Sequence, residues 1–149
     1  MVIELLTIGE LSRLYSGLKH QDDKRDIAAF FSLHHTIFES WLHTLTYGRN
    51  LCAHHSRFWN RDFVIQPDIP KKALKLPWFN HSFTNNRRCF YFLSVIKYLL
   101  QTINPDGSYR QELIDLLNRY PSTPIQFMGI PVDAHGELIN WQKELLWKN

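Results

Sequence analysis

The stretch "TIFESWLHTLTYGRNLCAHHSRFWN", residues 36–60, decides the fold. Phe38, Trp41, Leu42 and Leu45 recur at i, i+3, i+4 and i+7, the spacing of one helix face. Continued, that stripe meets Arg49, Cys52 and Ala53. Arg49 is therefore expected on the buried side. That is a costly place for a permanent charge unless an anion or a partner meets it. Within the segment, "GRNLCAHHSR" (48–57) gathers two arginines, two adjacent histidines, an asparagine and a cysteine.

Working outward, "MVIELLTIGELSRLYSGL" (1–18) carries Val2, Leu5, Leu6, Leu11, Leu14 and Leu18 at roughly helical spacing. It is broken at Gly9 and ends near Gly17. "QDDKRDIAAFF" (21–31) opens on Asp22 and Asp23, good helix-start residues. Residues 66–86 hold three prolines and read as a surface loop. "RRCFYFLSVIKYLLQTI" (87–103) is a strongly apolar buried helix, "NPDG" (104–107) a turn, and "SYRQELIDLLNRY" (108–120) an amphipathic helix starting on Ser108. "PSTPIQFMGIP" (121–131) is irregular, and "ELINWQKELLW" (137–147) is expected to form a last short helix. Strand signals are weak throughout, so the chain reads as one all-α domain over residues 1–149.

The bounds agree with this reading. The chain of 149 residues carries a net charge of +3. The pI of about 8.9 is compatible with an anionic partner but too mild to identify one. Cys52 and Cys89 sit in apolar helical patterns and read as reduced packing residues. The N-terminus has two glutamates and no basic region, a poor signal peptide. No apolar run approaches the roughly 20 residues that cross a bilayer. A cytoplasmic protein without membrane attachment is expected.

The string at 49–61 suggests a chemistry. RNA is cut without a metal when its own 2′-hydroxyl attacks the adjacent phosphate. This takes a base that titrates near neutrality, which histidine provides. It also takes a fixed cation with a fork of donors for the phosphate, which arginine provides. Arg49 and His54 supply one of each. Asn50, four residues before His54, falls on the same face and is placed to orient its ring. Arg57 and Arg61 continue that face by further turns, placed to hold flanking phosphates. Five residues set Arg49 and His54 roughly 140° apart around an ideal helix. They converge only if the arginine swings, if the helix breaks near Gly48, or if a second copy completes the site.

Other readings of the polar residues are weaker. His34–His35 and His54–His55 lack the i, i+3 or i, i+4 spacing that aims two rings at one ion. No metal or cofactor is therefore expected. Arg87–Arg88 reads as a solvated helix start, and Arg13 with His20 forms a chance R-x6-H pair at a helix end. The five tryptophans read as core or interface anchors, with Trp59 beside the motif a candidate for stacking on a base.

"ESWLHTLTYGRNLCAHHSRFWNRDF" (39–63) resembles the signature of bacterial abortive-infection (Abi) proteins of the AbiD/AbiF type, within the HEPN superfamily of helical RNA-cutting domains. The likeness extends to "IELLTIGELSRLYSGL", "PDIP", "FYFLSVIKYLL" and the late "MGIP". It corresponds to the C-terminal half of family members, so the chain is expected to be truncated relative to them. The resemblance implies a HEPN-like helical bundle that pairs as a homodimer. It further implies R-x4-6-H motifs that meet across the pair in a composite, metal-independent ribonuclease site. Arg49 and His54 match the motif's fixed positions and Asn50 the polar residue after the arginine. His55 and Arg57 match further positions of the Abi signature. Gly48 stands where the family has a larger apolar residue and is expected to loosen the helix. The implied function is an RNA endonuclease of an abortive-infection or toxin–antitoxin defence system, with RNA as substrate and an antitoxin or a full-length Abi protein as partner. The rival is a non-catalytic RNA-binding or dimerisation remnant that regulates such a partner.

Overall fold

A computed structural model describes residues 5–79 and 85–148. Among the described residues there are five α-helices: α1 (Ile8–Ser16), α2 (Gln21–Phe30), α3 (His35–Ala53), α4 (Cys89–Ile103) and α5 (Tyr109–Arg119). Three short 3-10 turns come after them, at Ile125–Met128, Trp141–Lys143 and Leu145–Trp147. Among the described residues there is no strand, only an isolated bridge between Val132 and Leu138. The expected all-α architecture is the observed one. The last expected helix is instead two 3-10 turns that seat Trp141 and Trp147 in the core.

α1 begins later than the apolar spacing predicts. Thr7 caps it in a reciprocal box with Glu10: the Glu10 N–H donates to Thr7 Oγ1 at 3.3 Å and the Thr7 N–H to Glu10 Oε2 at 2.7 Å. Gly9, expected to break the helix, lies in its first turn. Val2 of the expected pattern lies outside the described residues, and Leu5 is exposed. α1 runs antiparallel to α3. Thr46 Oγ1 donates to Ile8 O (3.4 Å) near one end of α1, while Glu39 and Ser40 lie beside Ser16 at the other.

α3 is the central helix. Its buried residues are Phe38, Trp41, Thr44, Gly48 and Leu51, and the last four step through the helix at i, i+3, i+7 and i+10. Arg49, Cys52 and Ala53, expected to extend the buried stripe, are exposed. The face is rotated because small residues make the helix contacts. Thr44 is buried with its hydroxyl donating to Ser40 O at 3.0 Å. Gly48 meets Phe92 of α4: a Cβ there would lie 2.3 Å from the ring's Cζ. Gly48 thus marks a close helix approach rather than a loosened helix, and α3 is unbroken through it.

The proline-rich loop is confirmed over its described part and is stitched down from both sides. Trp41 Nε1 donates to Asp68 O at 2.9 Å and the Tyr91 hydroxyl to the same oxygen at 3.2 Å. Trp78 stacks on Trp41 with centroids 5.8 Å apart. Phe58, Phe63 and Phe92 form a second aromatic cluster, and Phe90, Trp141 and Trp147 a third. Among the described residues no helix is long and apolar enough to cross a membrane.

Candidate functional site

The end of α3 positions the motif. His54 is its C-cap residue. The His55 N–H donates to Cys52 O (3.1 Å) and the Ser56 N–H to Leu51 O (2.9 Å), the paired bonds of a Schellman ending. The left-handed position of such an ending favours glycine; here His55 occupies it with φ 51°. The helix therefore ends at Ala53, four residues after Arg49, with His54 as its cap. Arg57 and Arg61, expected on the same helical face, lie beyond that ending in irregular chain. Asn60, also at positive φ (48°), bends the segment again.

The irregular chain beyond His55 is clasped to α4. The Arg88 guanidinium reaches Asp62 Oδ1 at 2.9 Å through Nε and Asn60 Oδ1 at 2.7 Å through Nη1. The Phe63 N–H donates to Arg87 O at 2.8 Å. Arg88, expected as part of a solvated helix start, is instead a structural fastener. Trp59 packs partly buried against the core. Among the described residues, neither Arg57 nor Arg61 has an ion-pair partner.

The structure brings together Arg49 and Asn50 but not Asn50 and the His54 ring. Arg49 Nη1 donates to Asn50 Oδ1 at 3.1 Å. The contact between Asn50 and His54 is the helical one, His54 N–H to Asn50 O at 3.1 Å. The Asn50 side chain thus meets Arg49 where an orienting contact with the His54 ring was expected. His54 and His55 are exposed, and no described residue hydrogen-bonds either ring.

Arg49 and Asn50 line an open groove of about 410 Å³ between α1 and α3, with Thr7, Gly9, Ser12, Arg13, His43 and Thr46 completing its walls. Arg13 and His43 are the members that sequence reasoning missed. Arg13 was visible only in a chance motif, and His43 only through its i, i+3, i+7 relation to Thr46 and Asn50. A neighbouring groove of about 310 Å³ continues past Arg13 and His43 to Glu39. There the charge reverses, but Glu39 Oε2 is held by buried Lys24 at 3.2 Å.

Of the two cysteines, one departs from expectation. Cys52 is exposed. Cys89 is buried, and burial pushes its thiol up to about 11. The His34 and His35 rings lie 4.3 Å apart at a tilt, with His34 Nδ1 accepting the Thr36 N–H at 3.4 Å to cap α3. Among the described residues no three His, Cys, Asp or Glu side chains are grouped to hold a metal ion.

Compared with known families, residues 1–60 match the model of the Abi-like protein family. The matched stretch contains α1 to α3, both arginines of the groove and the whole Arg49–His54 string. It is shorter than the whole-chain likeness expected from the sequence, and Arg61 falls outside it. No curated protein and no solved structure matches the chain.

Proposed function

We propose that this chain is a metal-independent RNA endonuclease of the abortive-infection type, with Arg49 and His54 as its reacting groups. The observation that carries the reading is the state of Arg49. Its guanidinium is exposed, has no carboxylate partner among the described residues, and is steadied by Asn50 in an open groove. A cation held ready in this way suits an incoming phosphate. The similarity of residues 1–60 to Abi-like proteins supports the same direction.

In the proposed step the RNA 2′-hydroxyl gives its proton to His54 while its oxygen bonds to phosphorus. The P–O5′ bond breaks, and the departing oxygen takes a proton from water or from the imidazolium of a second chain. The products are a 2′,3′-cyclic phosphate and a 5′-hydroxyl. Arg49 holds the non-bridging oxygens as charge builds on them. His55 and Arg57 stand at the helix ending to meet the strand, and Arg61 lies further along. Because α3 is unbroken, Arg49 and His54 of one chain leave by different sides of the helix. The reading therefore requires a homodimer in which one chain's His54 faces its partner's groove.

A second reading has its own observation. The groove contains Arg49 and Asn50 but not His54, which suits a module that holds RNA without cutting it, alone or with an Abi partner or antitoxin.

The deciding experiment is cleavage of a mixed RNA pool in EDTA by wild type, Arg49→Ala and His54→Ala. The expected result is cleavage by wild type that falls roughly 10²–10⁴-fold without His54 and roughly 10²–10³-fold without Arg49. A folded, dimeric wild type that leaves the pool intact sinks the nuclease reading in favour of the binding module.

A further inference from the structure

We infer that the α1–α3 groove is a second anion subsite, in which Arg13 and His43 hold the phosphate next to the one at Arg49 on a single-stranded RNA. The inference rests on the reading of Arg49 for the identity of the ligand, while the subsite itself rests on the groove.

Four observations carry it. First, antiparallel packing of α1 on α3 sets Arg13 and Arg49 in one groove although 36 positions separate them in the chain. Second, neither guanidinium forms a direct ion pair among the described residues, and that of Arg13 makes no hydrogen bond with any of them; its charge acts only at longer range on Glu10, one turn back on α1. Third, the nearby carboxylates are occupied. Glu10 is directed into the Thr7 capping box, which leaves one carboxylate against the two arginines, and Glu39, at the far end, pairs with Lys24. The Arg13–Arg49 end is therefore net positive and the Glu39 end is not, which gives the groove a direction. Fourth, the site has built walls. Gly9 keeps α1 close to α3, where a Cβ would already meet Thr46 Cγ2 at 3.2 Å, and Ser12 is buried along the same groove.

From His43 to Asn50 the groove follows eight residues of α3, roughly 10 Å along the axis. That length accommodates more than one phosphate of a continuous strand. His43 contributes an N–H donor in either tautomer. The strand that meets His55 and Arg57 at the helix ending is thus continued along α1.

The test is fluorescence anisotropy of a labelled mixed-sequence single-stranded RNA, titrated at several salt concentrations. All proteins carry His54→Ala so that the RNA survives. Arg13→Gln is expected to weaken binding roughly 10-fold and to make the log Kd against log salt slope shallower by about 0.7. Arg13→Lys, which keeps the charge, is expected to keep the slope. If Arg49→Gln weakens binding while Arg13→Gln leaves affinity and slope unchanged, the subsite is overturned and the Arg49 reading stands. If Arg13→Gln weakens binding and Arg49→Gln does not, the subsite stands and the Arg49 reading falls. Equal losses in Arg13→Gln and Arg13→Lys, accompanied by a lowered melting temperature, would mark a packing effect and overturn the subsite.

Discussion

Gly48→Ala is the most informative single change in this chain. In an exposed helix interior the substitution stabilises by about 1 kcal/mol, through helix propensity and a less free unfolded chain. Here the new Cβ would stand 2.3 Å from Cζ and 2.4 Å from Cε2 of Phe92. Comfortable carbon contacts lie at about 3.5–4.0 Å, so the ring must move by more than about 1 Å. It has little room to do so. Phe92 is 6% exposed and touches Phe58 and Phe63, with centroids at 5.1 and 5.5 Å. Overpacking of this kind costs about 1–3 kcal/mol, and the depth of the overlap places it in the upper part of that range. Subtracting the helix gain leaves a net loss of about 1–2 kcal/mol, a fall in melting temperature of about 2–8 °C. Thermal and urea melts of wild type, Gly48→Ala, Phe92→Leu and the double variant check this. Leucine vacates the space the Cβ needs, so the double variant should recover at least about 1 kcal/mol relative to additive losses. A Gly48→Ala protein as stable as wild type, or strictly additive losses, would refute the close approach of α3 and α4.

His55→Gly relieves a left-handed histidine worth about 1–2 kcal/mol but frees the unfolded chain, so stability rises by up to about 1 kcal/mol and the melting temperature by about 2–4 °C; a lower melting temperature would contradict the Schellman ending. In the native protein a thiol reagent at pH 8 is expected to label one cysteine per chain, Cys52, with Cys89 reacting only on unfolding; peptide mapping after alkylation distinguishes them, and native labelling of Cys89 would count against its burial. Burial, with the His34 ring, Arg25 and Lys24 nearby outweighing Glu39, holds the His35 imidazole below its ordinary value of 6.5. Since the unfolded chain then binds the proton more readily, His35 contributes stability above pH 6.5 that is lost as the pH falls through that value. Chemical melts at pH 5 and 7.5 should show a smaller difference in His35→Gln than in wild type, and an unchanged difference would exclude the effect.

The helices were legible where apolar spacing and caps agreed. "FYFLSVIKYLL" is apolar on nearly every face and is buried on nearly every face, and "SYRQELIDLLNRY" begins on Ser108 as its composition dictates. α3 was legible as a helix but not in its orientation. Thr44 and Gly48 do not read as core residues, yet a threonine that satisfies its hydroxyl within the helix and a glycine that admits a phenyl ring both make close packing positions. Their burial rotates Arg49 to the surface. The end of α3 left no mark in the sequence, because the residue at its left-handed position is histidine where glycine would announce it. Arg13 was invisible as a site residue for a different reason: its partner lies 36 positions away, and only the antiparallel packing of two helices joins them. Arg49 and His54 were readable from chemistry and spacing, and their divergence followed from helical geometry alone.

Every residue of the α1–α3 groove falls between Thr7 and Asn50, whereas α4 joins α3 only across the long stretch of chain from His54 to Arg88. Closing that span costs entropy before the aromatic contacts of Trp41 with Trp78 and Tyr98 repay it. α1, α2 and α3 are joined by short connections, which reduce that cost. On a ribosome, where the N-terminal part emerges first, the two arginines would be set side by side while α4 was still being made. The groove surface would then be shaped early, and the apolar side of α3 would wait for the later half of the chain to cover it.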